Sequence, residues 1–215
     1  MGQGLSTMAG VDNLHRVEVR AGKFLPFAAS SLPLLSSSDL GTGSVFGLIV
    51  RIFAWAGLQF LYVRDNALDS FAIIGSLFSL RVLDASCNCI RDWDQFQELP
   101  SLRQLYLSNN GISSFRGMPL LPELGVLSLT GNVLESFEGM KVYPELRMLS
   151  LPFNRINSLR GFVRHPKLEV LDLTGNPITR EPQYRPAVIA CCSRTLLKLD
   201  GEGGVAALSS LSWIP

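Results

Sequence analysis

Six asparagines, Asn66, Asn88, Asn110, Asn132, Asn154 and Asn176, stand 22 residues apart without a slip. An interval that regular admits few folds. One structural unit is repeated, no unit can bury its apolar face alone, and successive units must stack into a solenoid.

The interval fixes a frame for everything around it. Units begin at Leu58, Leu80, Leu102, Leu124, Leu146 and Leu168, and their fourth positions are Leu61, Leu83, Leu105, Leu127, Leu149 and Leu171. The sixth positions are Val63, Ala85, Leu107, Leu129, Leu151 and Leu173. Positions 4 and 6 alternate with 3, 5 and 7, which predicts a short strand with leucines inward and the intervening side chains outward. Strands of successive turns must run parallel, about 4.8 Å apart, so six of them make a sheet roughly 24 Å wide. The asparagine, at position 9, is expected to satisfy backbone groups where the chain leaves the sheet, because its amide both donates and accepts.

The second half of each unit places apolar residues every three positions, as in Ile112, Phe115, Met118 and Leu121. That spacing fits turns of 3₁₀ type in a short convex arm. Pro100, Pro122, Pro144 and Pro166 each stand two residues ahead of the next unit and reset the chain. The pattern L-x-x-L-x-L-x-x-N at this period is that of a leucine-rich repeat. The expected fold is an α/β solenoid: a curved parallel sheet, short 3₁₀ or loop arms on the convex side, six full repeats and terminal caps.

Two resemblances follow from these residues. The Leu-Pro-x-Leu joins, such as Leu99-Pro100-Ser101-Leu102, resemble the intracellular phosphatase-regulator subfamily of leucine-rich repeats. Tyr184-Arg185 with Val188-Ile189, then Leu196 and Leu199-Asp200-Gly201, are similar to the C-terminal cap of that subfamily and of the spliceosomal leucine-rich A-prime protein. The stretch Leu58 to Asn66, together with Leu102 to Leu107, resembles the repeat region of the plant and protist microtubule-associated protein first named for auxin induction in root cultures. The first resemblance implies a phosphatase-regulating role and the second a cytoskeletal one.

Outside the repeats the frame divides the chain further. Residues 1–44, rich in Ser, Gly and Ala, are expected to be largely disordered. Gly2 lies in a form, Met1-Gly2-Gln3-Gly4-Leu5-Ser6, that fits N-myristoylation, which would make the protein a membrane-tethered adaptor. The apolar run Val45 to Val63 has the length of a membrane span, but Arg51 at its middle would be costly in hydrocarbon. The repeat phase instead puts Phe46, Ile49, Ile52 and Trp55 on core positions, so 45–57 reads as a degenerate capping half-repeat. Repeats occupy 58–176, a C-terminal cap 177–201, and a tail without assigned role 202–215.

Charge is balanced, with 19 basic and 18 acidic residues, so no overall field attracts nucleic acid or anionic membrane. Cys87, Cys89, Cys191 and Cys192 form neither a disulfide framework nor a zinc pattern. A reducing compartment, the cytoplasm, is the expected setting. No sequence motif gathers catalytic groups, and His165 stands where other repeats place Leu or Tyr. Neither enzyme activity, a cofactor, a metal nor a small-molecule ligand is expected.

Function therefore falls to the outward strand positions. Phe60 and Met148 at position 3, Tyr62, Asp84, Tyr106 and Asp172 at position 5, and Arg64 at position 7 face the concave side, with Arg103 and Phe153 beside them. Tyr and Arg are enriched at binding hot spots, and an exposed apolar column invites a cover. These residues nominate a binding surface for another protein, in a scaffold or regulatory role.

Overall fold

The computed structural model describes residues 18–21, 57–71, 77–192 and 194–203. Among the described residues, nine strands form one sheet in chain order. They are β1 (Glu18–Ala21), β2 (Leu58–Tyr62), β3 (Val82–Asp84), β4 (Gln104–Tyr106), β5 (Val126–Ser128), β6 (Met148–Ser150), β7 (Val170–Asp172), β8 (Lys198–Leu199) and β9 (Glu202–Gly203). From β2 to β8 all neighbours are parallel, and Leu61, Leu83, Leu105, Leu127, Leu149, Leu171 and Leu199 stand opposite one another in unbroken register. Each of these leucines is fully buried. The leucine-rich repeat solenoid expected from the 22-residue frame is the fold observed.

What stops each strand is position 8. Asp65, Cys87, Asn109, Gly131, Phe153 and Gly175 all adopt a left-handed backbone, with φ between 53° and 75°. A strand cannot continue through that conformation, so the chain turns out of the sheet there. The asparagine that follows then ties the turn to its neighbour. Asn132 Nδ2 donates to Leu129 O at 3.0 Å in its own turn and to Leu107 O at 2.9 Å in the turn before, while its Oδ1 accepts the Ile112 N–H at 2.9 Å. Asn88, Asn110, Asn154 and Asn176 repeat all three bonds.

The convex arms are loops with isolated turns. Repeats two to five close bonds between residues three apart at the same two places, for example Met118 N–H to Phe115 O and Leu124 N–H to Leu121 O, both 3.1 Å. In the arms of repeats two to five the three-residue spacing reflects separate turns of 3₁₀ size, and the sixth arm begins with a 3₁₀ helix (Pro177–Arg180). Between the arms and the sheet lies the core, with an aromatic file inside it. Phe71 stacks on Trp93 at 5.9 Å and on Phe96 at 4.3 Å, and Phe115 stacks on Phe137 at 6.1 Å.

Three strands fall in segments to which the sequence assigns none, and one of them, β8 in the cap, continues the parallel sheet beyond the sixth repeat. β1 lies within 1–44, where disorder is expected, and pairs antiparallel with β2, covering the edge of the first repeat. β9 takes the first two residues of the tail and pairs antiparallel with β8. An uncovered parallel edge would offer unpaired N–H and C=O groups to another chain. The rest of 1–44, including Gly2, and the half-repeat 45–57 apart from Gly57 lie outside the described residues. Among those described, no helix is long and apolar enough to cross a membrane.

At the other end, a 3₁₀ turn (Pro177–Arg180) and helix α1 (Tyr184–Cys191) cover the last repeat, with Tyr184, Val188, Leu196 and Leu199 buried and Ile189 packed against the core. Asp200 supplies the missing acceptor. In the earlier repeats the sixth residue donates its N–H to a backbone carbonyl of the next strand, as Leu151 does to Asp172 O at 2.8 Å. Leu173 donates instead to Asp200 Oδ1 at 2.8 Å, and Tyr184 Oη donates to the same carboxylate at 2.9 Å.

His165 occupies a fully buried place where three earlier repeats have Leu77, Leu99 and Leu121. Its Nδ1 accepts the Tyr143 N–H at 3.2 Å, which fixes the proton on Nε2, and that buried N–H has no acceptor among the described residues. Burial lowers its pKa from 6.5 to about 4. The unfolded chain therefore takes up a proton below pH 6.5 that the folded chain refuses until about pH 4, so stability is full above 6.5 and declines between them. The whole decline is on the order of 3 kcal/mol. Urea unfolding at pH 7 and pH 5, a window above most carboxylate titration, should show a lower midpoint at pH 5 that His165→Leu largely removes; an unchanged slope in the variant contradicts this assignment.

Candidate functional site

The strand register sorts the outward side chains into columns that cross the sheet. Column 3 runs Phe60, Val82, Gln104, Val126, Met148, Val170 and on to Lys198; column 5 runs Tyr62, Asp84, Tyr106, Ser128, Ser150, Asp172. Of the nominated residues, Tyr62, Asp84 and Tyr106 come together, on three adjacent strands with Phe60 beside them. Asp172 stands four strands from Asp84. Met148 and Phe153 belong to the fifth repeat, and Arg103 lies on the rim where the strands begin.

The Tyr62–Asp84–Tyr106 group has a defined geometry. Tyr106 Oη donates to Gln104 Oε1 at 3.1 Å, which leans the ring toward column 3. Partial burial, then the Asp84 carboxylate, then Tyr62 raise the Tyr106 pKa, so the phenol stays neutral and keeps its donor. Asp84 Oδ1 accepts the Ser86 N–H at 3.0 Å. Asp172 repeats that turn, accepting the Thr174 N–H at 3.0 Å and its hydroxyl at 2.7 Å.

Between Tyr106 and Asp172 the floor is made of small hydroxyl residues. Ser108 Oγ and Ser128 Oγ are 3.0 Å apart, and Thr130 Oγ1 and Ser150 Oγ are 3.3 Å apart. They bond each other across strands, so the floor is preorganised and low. The repeat frame contains this feature in plain view, as Ser86, Ser108, Thr130 and Thr174 at position 7, yet no single one of them draws notice.

Most cations near the face already have partners. Arg64 pairs with Asp65 at 3.4 Å, Arg103 with Glu123 at 3.0 Å, and Arg147 with Glu169. Arg103 and Arg147 also flank a cleft of about 560 Å³ over Gly125 and Val126, bounded by Glu123 and Glu145. Position 2 reads Arg81, Arg103, Gly125, Arg147 along that rim, so the cleft is the gap left where one side chain is missing.

Phe153 is the most exposed large apolar side chain of the described residues, at 66%. It is also the bulkiest residue held at position 8, with φ 55°. Its ring lies over Gly175, where an added Cβ would meet Cδ1 at 2.7 Å. A left-handed backbone costs a residue with a Cβ roughly 1–2 kcal/mol, and strain of this kind collects at functional positions.

Comparison with known proteins bears on the repeat. The model of paired leucine-rich repeats matches residues 78–117, and a single-repeat model matches residues 164–181. No match is found among curated protein sequences. Among solved structures, an internalin of Listeria monocytogenes is similar at 21% identity and a TM-score of 0.54, over 76% of this chain and 48% of that one. The chain thus spans about half the internalin's length. A chain of the SNF/U2A′ complex of Drosophila melanogaster aligns at 25% identity over 67% of this chain and 73% of that one, with a TM-score of 0.43.

Because Asn tolerates the left-handed region far better than Phe, Phe153→Asn should raise the urea midpoint, by about 0.5–1 kcal/mol of stability. A fall instead would mean that ring packing on Gly175 outweighs the backbone strain. What the chain shares with the proteins it matches is the leucine-rich repeat, stacked as a solenoid.

Proposed function

We propose that the protein is a non-enzymatic interaction module that grips a protein partner on the concave sheet. The observation that carries this reading is the Tyr62–Asp84–Tyr106 group beside Phe60, set on a sheet whose inward side is wholly committed to the core. Tyrosine supplies large contact area with few rotatable bonds, so rings held on a rigid sheet lose little entropy on binding. The unbridged, exposed thiols of Cys89 and Cys191 support a setting inside the cell.

Two finer roles come from the sequence resemblances, a regulatory subunit of a protein phosphatase and a microtubule-associated factor. They call for different partners on the same face. Affinity capture from lysate should recover a partner with the wild-type chain and lose at least about nine-tenths of it with Tyr62→Ala/Tyr106→Ala, a tenfold loss corresponding to about 1.4 kcal/mol. Equal recovery by both forms contradicts the concave site. Microtubule co-sedimentation and a phosphatase pull-down with the same pair of proteins separate the finer roles.

A further inference from the structure

We infer that the concave face is built for an extended, basic peptide segment carrying two Lys or Arg side chains six residues apart, one over Asp84 and one over Asp172. This rests on the concave-face reading above and names the chemistry of its partner.

Charge complementarity sets the chemistry. On columns 3, 5 and 7 of β2 to β7 the charged residues are Asp84, Asp172 and Arg64, and Arg64 is already paired with Asp65. Each aspartate is held by the backbone N–H two residues on, through Oδ1, and neither has a cation within ion-pair distance among the described residues. Each therefore presents a fixed carboxylate with acceptor capacity left over. At Asp84 there is more: Tyr62 and Tyr106 occupy the same column on the strands either side, so a cation there meets two phenol rings as well as the carboxylate. Rings in that position attract ammonium and guanidinium groups.

Geometry sets the spacing. β3 and β7 are four strand intervals apart, about 19 Å at the usual separation. An extended chain advances about 3.3 Å per residue, so about six residues cover that span. Six is an even number, which puts both basic side chains on the same side of the extended segment. Between them the segment passes the Tyr106 ring and then Ser128 and Ser150, where the floor is low, and the partly exposed Ser128 hydroxyl can meet its N–H or C=O groups.

Fluorescence anisotropy with the full chain and labelled synthetic peptides of neutral Ser/Thr/Val background tests the inference. One peptide carries two lysines six residues apart, a second has them three apart, and a third replaces the six-apart lysines with glutamates. The first should bind at least tenfold more tightly than the others, weaken as salt is raised, and lose most of that advantage to Asp84→Asn and to Asp172→Asn. Thermal denaturation matching the wild type establishes that the variants are folded, and the peptide ranking and salt dependence on the wild-type chain require no variant. No preference among the three peptides, or no binding by any, overturns the inference. A partner captured by the wild type, lost with Tyr62→Ala/Tyr106→Ala but retained by both Asn variants, overturns it while leaving the concave-face reading intact.

Discussion

An asparagine amide that bonds two turns at once holds this molecule together. In Asn110, one Nδ2 group donates at 3.1 Å both to Leu107 O in its own turn and to Ala85 O in the preceding one, while Oδ1 takes the Ile90 N–H at 3.0 Å. Buried carbonyl and N–H groups that cannot reach water must find partners, and here one side chain serves three of them. Because donor and acceptor belong to a fixed place in the repeat, an inserted or deleted residue would move the amide away from the neighbouring turn. The constant interval of 22 follows from that.

The same linkage explains both ends and the fixed geometry of the outward face. A ladder built from neighbours fails where neighbours run out, and other groups take over: β1 pairs with the first repeat, and the Asp200 carboxylate accepts the Leu173 N–H that a further strand would have taken. In the middle, turns locked to one another leave the sheet little freedom. Outward side chains such as Tyr62, Asp84 and Tyr106 are thereby held in fixed relation. Phe153 is held likewise, in a backbone conformation that a bulky residue would otherwise avoid.

Much of this was legible in the sequence, and the limits have physical causes. Core columns, strand register and the tie made by the asparagine at position 9 follow from periodicity, because each repeat must solve the same burial problem. That the strand stops one residue earlier, at position 8, depends on backbone angles that spacing does not carry. β1 was not legible, since a lone antiparallel edge strand belongs to no period. The role of Asp200 escaped for a similar reason: it substitutes once for a backbone group and has no counterpart to compare. Tyr62, Asp84 and Tyr106 could be placed on one face from their shared position, but the Asp84 turn and the Ser108–Ser128 contact depend on side-chain geometry that spacing does not carry. His165 read as a substituted core residue, while its Nε2, without a partner among the described residues, required knowing what surrounds it.

Amide hydrogen exchange resolved by residue tests the ladder most directly. The N–H groups of Leu68, Ile90, Ile112, Leu134 and Ile156 each donate to the asparagine side chain of the next turn, at 2.9 to 3.0 Å. If those amides link the turns, the three interior ones, Ile90, Ile112 and Leu134, should exchange only through the slowest, global opening, as the strand amides of Leu105 and Leu127 do. Exchange of these three at the rate of exposed loop amides, while the strands remain protected, would contradict the account.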